Sequence, residues 1–180
     1  MKYFLATILF FFSVDLPAQV YTVKEGNVSF FSEAPLENIE AHNANPGALI
    51  NTSTREIAFI IPIRKFVFRK ALMQEHFNEK YMESDKYPMA TFKGKVNEAV
   101  DLTKDGENKV TATGKMTIHG VERDLTCPGK LIVKNGEISL ESDFNVQVKD
   151  YNISIPQLMF QNIAESIAVK IRILFIPYKK

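Results

Sequence analysis

Alternation of apolar and polar residues dominates this chain, and it leaves few folds open. Ile138, Leu140, Phe144, Val146 and Val148 face one side, interrupted by Ser142, while Ser139, Glu141, Asp143, Asn145, Gln147 and Lys149 face the other. Val110, Ala112, Gly114, Met116 and Ile118 alternate with Thr111, Thr113, Lys115 and Thr117. Beyond His119-Gly120 the pattern resumes with Val121, Leu125, Cys127, Leu131 and Val133. The last run sets Ile167, Val169, Ile171, Ile173 and Phe175 against Ala168, Lys170 and Arg172, and Ala90, Phe92, Gly94 and Val96 form an earlier one. Successive side chains on a strand point to opposite faces, so each run reads as a strand with one buried face. Residues 56–63 are apolar almost throughout and read as a strand covered on both faces or lying at a barrel seam. Asp105-Gly106, His119-Gly120 and Asn135-Gly136 sit between alternating runs as hairpin turns. Strands joined in this way form an antiparallel meander, which closes into a barrel or folds into a sandwich because open edges invite aggregation.

One stretch departs from this period. Between Phe68 and Ser84, the residues Phe68, Leu72, Met73, Phe77 and Tyr81 recur at three- and four-residue spacing, as on one helix face. A short helix there would cover a barrel opening or pack on the outside. With 180 residues there is room for one domain. Its 14 Phe and 6 Tyr, with no Trp, call for a large apolar interior, filled by side chains or left open for a guest.

Residues 1–18 read as a secretory leader. Lys2 precedes an apolar run from Tyr3 to Val14, and Ala18 offers a cleavage point before Gln19. The run is shorter than the roughly 20 residues that span a bilayer. The expectation is therefore a domain at 19–180, exported to the periplasm or secreted, with no stable membrane anchor. A net charge of +1 gives no electrostatic footprint for nucleic acid.

Chemistry-bearing patterns are sparse. His42, His76 and His119 lie far apart, none at metal-motif spacing from another or from Cys127, so neither a metal nor a cofactor is expected. No glycine-rich phosphate cradle, nucleophile elbow or zinc-protease helix occurs. Glu141 with Asp143, and Glu122 with Asp124, occupy polar strand positions and read as a solvated outer face rather than a glycosidase pair. Cys127 falls in the apolar phase, where a buried thiol is the default. His119, before Gly120, reads first as a turn residue and second as a pocket donor. The expectation is that the protein is not an enzyme and has no catalytic residue.

The order of motifs resembles the YceI-like family. Phe77-Asn78-Glu79-Lys80-Tyr81-Met82-Glu83-Ser84, then Lys86-Tyr87-Pro88-Met89-Ala90-Thr91-Phe92-Lys93-Gly94, is similar to one of its signatures. Gly114-Lys115-Met116-Thr117-Ile118-His119-Gly120-Val121 is similar to a second. The resemblance implies an all-β, lipocalin-like, extended eight-stranded antiparallel barrel in the periplasm, holding a polyisoprenoid or similar amphiphile in its lumen. It places the helical segment through Leu72, Met73 and Phe77 by the barrel mouth, and Phe92, Met116 and Ile118 on the inner wall. Barrels of this family often pair, so a homodimer is compatible with it. Two stretches depart from the family: Asn27-Val28-Ser29-Phe30-Phe31-Ser32 replaces a common His-Ser pair, and Lys149-Asp150-Tyr151-Asn152-Ile153 replaces an Arg followed by Phe-Gly.

The expected function is a carrier or sequestering protein for an apolar chain. Its ligand-binding residues are taken from the inward phases: Ile57, Phe59, Ile61, Phe92, Met116, Ile118, Leu140, Phe144, Val146, Val169, Ile171 and Ile173, with Leu72, Met73 and Phe77 at the mouth. The alternative is an exported structural or partner-binding barrel whose core is packed solid. Alternation establishes an apolar interior and is silent on what fills it.

Overall fold

The computed structural model describes residues 20–33, 37–155 and 164–178; the leader expected at 1–18 lies outside them. The strands are β1 (Val20–Ser32), β2 (Ile39–Asn43), β3 (Gly47–Asn51), β4 (Glu56–Pro62), β5 (Val67–Phe68), β6 (Met89–Val96), β7 (Gly106–Ile118), β8 (Val121–Lys134), β9 (Glu137–Gln147) and β10 (Ser166–Pro177). Every pairing among them is antiparallel. They run in the order β10-β9-β8-β7-β6-β4-β3-β1, and β1 pairs with β10, so eight strands close into a barrel. Closure leaves these strands without an open edge except where β8 and β9 part. β2 pairs with the upper half of β1 and carries β5 on its far side, extending the wall at one end.

Two of the expected hairpins are tight. His119 (φ 51°) with Gly120 (φ 74°), and Asn135 (φ 53°) with Gly136 (φ 77°), join β7–β8 and β8–β9 with both central residues left-handed, as two-residue type I′ turns require. Asp105-Gly106 is not a hairpin turn. Gly106 already belongs to β7, and the Asp105 carboxylate accepts the Asn135 N–H at 3.0 Å, so this pair ends a longer β6–β7 loop.

Residues 56–63 are covered on one face only. Ile57, Phe59 and Ile61 are buried, whereas Ile60 is 51% exposed, so the apolar run keeps a normal strand alternation. The helical stretch is also shorter than its spacing implies. α1 spans Ala71–His76 and passes into a π-helical turn at Phe77–Tyr81, while Phe68 belongs to β5.

The barrel has a solid end and a hollow end. Tyr21 pairs with Ile50, Val23 with Phe175, Phe175 with Ile138 and Ile138 with Val133, so neighbouring strands supply one continuous layer. Ile50, Ile138 and Phe175 in this layer are fully inaccessible to solvent. A bulge at Lys24 shifts the phase of β1, so that Tyr21 points inward below it and Val28, Phe30 and Ser32 above it. Higher up, β8 and β9 part. Their ladder ends at Lys130 opposite Glu141, although both strands continue past it. Ser142 stays in the inward phase there, and its hydroxyl donates to the Pro128 carbonyl at 2.6 Å. That bond pairs a carbonyl the ladder no longer reaches, which accounts for a serine in an apolar series.

Candidate functional site

Above the packed floor the barrel encloses a cavity of about 590 Å³. Of the residues expected to face a ligand, Ile57, Phe59, Ile61, Phe92, Met116, Ile118, Leu140, Phe144, Val146, Val169 and Ile171 line its wall, and Leu72, Met73 and Phe77 line its mouth. Ile173 does not. It is buried one layer deeper, opposite Gly26, where a Cβ would come within 2.6 Å of its Cδ1. Parity placed Ile173 on the correct face, but its depth along the barrel axis puts it in the floor.

The cavity has further walls that those residues omit. Val28 and Phe30 from β1, Phe66 and Phe68 around β5, and Leu125, Cys127 and Gly129 from β8 all line it. Four of the rings cluster at the mouth: Phe30 lies 5.2 Å from Phe66 and 5.5 Å from Phe77, and Phe68 lies 4.9 Å from Phe77. The aromatic pairs at these separations hold the π-helical turn that follows α1 against β1 and β5. The signal for Phe66 and Phe68 was an i, i+2 pair around exposed Val67, too short a run to stand out as a strand.

Three polar groups of the cavity wall are engaged by the protein itself, and Tyr81, which carries a hydroxyl, borders the cavity beside the mouth. The Ser32 hydroxyl accepts the Ala164 N–H at 2.8 Å, Ser142 donates to Pro128, and the Cys127 thiol points at the Ala112 carbonyl at 3.8 Å. Charged groups lie at the mouth, where Lys70 is paired with Glu37 and His76 sits 3.3 Å from the Lys80 ammonium; Lys70, Glu37 and His76 all border the opening. Among the described residues, a guest in this cavity therefore meets mostly apolar walls along its length and charge where it leaves them.

Burial pushes the Cys127 thiol above its ordinary pKa, which removes thiolate and slows its chemistry. Cys127 is expected to react with a water-soluble aromatic disulfide at least about tenfold more slowly than a free cysteine. Filling the lumen should slow it further. Absorbance-monitored thiol titration checks both; reaction at the free-cysteine rate would place the thiol outside the cavity wall.

The other singled-out groups lie away from the lumen. Asp124 pairs with Lys115 at 2.8 Å, Glu141 with Lys130 at 3.3 Å and Asp143 with Arg172 at 2.9 Å, all across strands on the outer face. His119 does not line the cavity: its ring bridges Glu83 and the Tyr151 carbonyl. In the stretch that departs from the family, Lys149 and Asp150 are exposed and Ile153 borders the cavity. Among the described residues, no group of three His, Cys, Asp or Glu side chains is arranged to hold a metal.

Solved structures share this architecture. BcnA of Burkholderia cenocepacia is 17% identical with a TM-score of 0.71, over 83% of this chain and 95% of that one. A polyisoprenoid binding domain from Saccharophagus degradans is 14% identical with a TM-score of 0.75, over 88% of this chain and 98% of that one. The YceI protein of Campylobacter jejuni is 14% identical with a TM-score of 0.59, over 100% of this chain and 99% of that one. A search of curated proteins finds no match. The profile of the YceI-like domain matches residues 19–175, and the chain accordingly belongs to the YceI-like family.

Proposed function

We propose that this protein carries or sequesters a long apolar chain, polyisoprenoid-like, in the barrel lumen after export to the periplasm. The observation that carries this reading is the apolar cavity of about 590 Å³, open at its mouth, above a floor already packed with side chains. A barrel built only as a scaffold gains nothing from leaving that half empty, because apolar walls without partners forfeit dispersion contacts. The likeness to a domain described as polyisoprenoid binding supports the ligand class, and the leader-like sequence of residues 1–18 supports export.

The driving force is transfer of chain methylenes from water to the lumen, about 0.8 kcal/mol each. Ten of them supply roughly 8 kcal/mol before ordering costs, the scale of a micromolar complex. Since the wall is almost wholly apolar and the charged groups border the opening, the ligand's tail lies inside and its polar head lies at the mouth near Lys70, Glu37 and His76. No step in this function makes or breaks a covalent bond.

Native mass spectrometry of protein purified from its own cells without detergent, followed by solvent extraction, tests the reading. A discrete added mass that extracts as an isoprenoid or other lipid is the expected result. Ligand-free protein that also refuses added polyprenol and fatty acid would sink it.

A further inference from the structure

His119 does more than fill its turn. Its φ of 51° is a left-handed value, matched by Asn135 (φ 53°) at the same position of the next hairpin. The imidazole is only 10% exposed and makes two contacts outside its own hairpin. Nε2 lies 2.9 Å from a Glu83 carboxylate oxygen, and Nδ1 lies 3.2 Å from the Tyr151 carbonyl oxygen. Tyr87 packs edge-on against the ring at 4.6 Å and leaves no space for a side chain at Gly120, where a Cβ would meet its Cε1 at 2.4 Å.

Those two contacts reach two different segments. Glu83 follows the π-helical turn whose Tyr81, with adjoining Met82, lines the cavity. Tyr151 closes a 3₁₀ turn at Val148–Tyr151, and both Val148 and Ile153 line the cavity. Ile118, next to His119, lines it as well. One ring thus joins two segments of the lumen wall to the end of the β7–β8 hairpin.

Donor counting then fixes the state in which the join is complete. A carbonyl oxygen only accepts, and an ionised carboxylate only accepts. Both ring nitrogens must therefore donate, which a neutral imidazole cannot do. The full bridge needs a proton held between Nε2 and the Glu83 carboxylate. The charged and titratable groups around it are Glu83, Tyr87 and Lys86, whose ammonium sits 4.8 Å over the Tyr87 ring, on one side. On the other are Asp150, Tyr151 and Arg123, whose Nε donates to the Asp150 carbonyl at 3.0 Å.

We infer that His119 is the positioning residue of the lumen opening: protonated, it clamps the Glu83 and Tyr151 segments together, and it thereby sets how fast a guest enters and leaves. The exchange claim rests on the lumen being the ligand site; the clamp itself does not.

Hydrogen exchange, read at residues 82–87 and 148–153 against the floor strands β9 and β10, tests the clamp without any ligand. In His119→Ala both segments should exchange about tenfold faster than in the wild-type protein, after correction for intrinsic rates, as one charge-assisted bond is lost. Glu83→Gln should keep the slow exchange, because its amide donates to a neutral Nε2 while Nδ1–H still serves Tyr151. A purely structural histidine would give no such rescue, and a Glu83→Gln protein that loosens like His119→Ala overturns the proposal. With dansyl-undecanoic acid as probe, stopped-flow association and dissociation should both quicken about tenfold in His119→Ala while the Kd holds. Association and dissociation rates that stay at the wild-type values would also overturn it. If the wild-type protein takes up no probe, the lumen reading fails while the exchange data still decide the clamp.

Discussion

Gly114→Ala is expected to cost the barrel at least about 3 kcal/mol, enough to remove much of the stability of an ordinary domain. Gly114 faces Gly94 across β6 and β7, and the two strands approach closely there. A Cβ on Gly114 would stand 2.3 Å from the Lys93 carbonyl oxygen and 2.5 Å from the Gly94 Cα. Both are backbone atoms held in the ladder, so no side-chain rotation relieves the contact. The strands must part or the barrel must shear, and either breaks hydrogen bonds that closure depends on. Gly129→Ala supplies the contrast within the same wall. Its Cβ would meet Glu141 O at 3.4 Å, Leu140 Cδ1 at 3.5 Å and Val110 Cγ2 at 3.7 Å, all ordinary contacts. That variant should stay within about 1 kcal/mol of the parent, since alanine also relieves the entropy cost of glycine in a strand. Urea unfolding followed by far-ultraviolet circular dichroism separates the two; equal midpoints would mean β6 and β7 lie farther apart at this point.

The same pair of glycines shows how far alternation can be read. The inward phase of β6 passes through Phe92, Gly94 and Val96, and the phase alone gives Gly94 a face but no purpose. The purpose is packing: a Cβ at Gly94 would lie 2.7 Å from Cζ of Phe92, so the missing side chain lets the Phe92 ring lie across the strand. Parity identifies faces because a strand repeats every two residues. It carries no information on depth, and this is why Ile173 shares the phase of Ile171 and Val169 yet belongs to the floor. It also fails where an extra residue enters, as at Lys24 in β1, so the inward series Val28, Phe30 and Ser32 had no legible phase relative to Tyr21.

Strand partners were legible where a two-residue turn joined them, at His119-Gly120 and Asn135-Gly136. Where pairing stops was not. The ladder between β8 and β9 stops at Lys130 and Glu141, next to Gly129 and Pro128, and the Ser142 hydroxyl bridges the two strands beyond it. The helical stretch failed for a different reason. A π-helical turn, closed by the Met82 N–H on the Phe77 carbonyl at 2.8 Å, changes the period partway along, and Phe68 joins the apolar face from a strand instead. The candidate site was therefore legible as a list of faces. Its opening, where loops and rings meet out of sequence, was not.

Ala112→Trp should separate a hollow barrel from a filled one. Ala112 lies on β7 opposite Cys127, and both line the cavity. In a cavity of about 590 Å³ an indole at this position occupies volume a guest would use. Displacing three to five methylenes removes about 2.5–4 kcal/mol of transfer energy, which is roughly a hundred- to a thousandfold weaker binding. Stability should move the other way. The new ring gains contacts with walls that now face empty space, so the unfolding midpoint is expected to hold or rise. Were the core already packed, the same ring would have to displace its neighbours and would cost the usual 1–3 kcal/mol of overpacking. Titration with dansyl-undecanoic acid, paired with urea unfolding of the ligand-free protein, reads the two quantities independently. Weaker binding with undiminished stability is the result that the hollow half of the barrel requires; a destabilised variant with unchanged probe affinity would mean that the guest lies elsewhere and that the carrier reading is wrong.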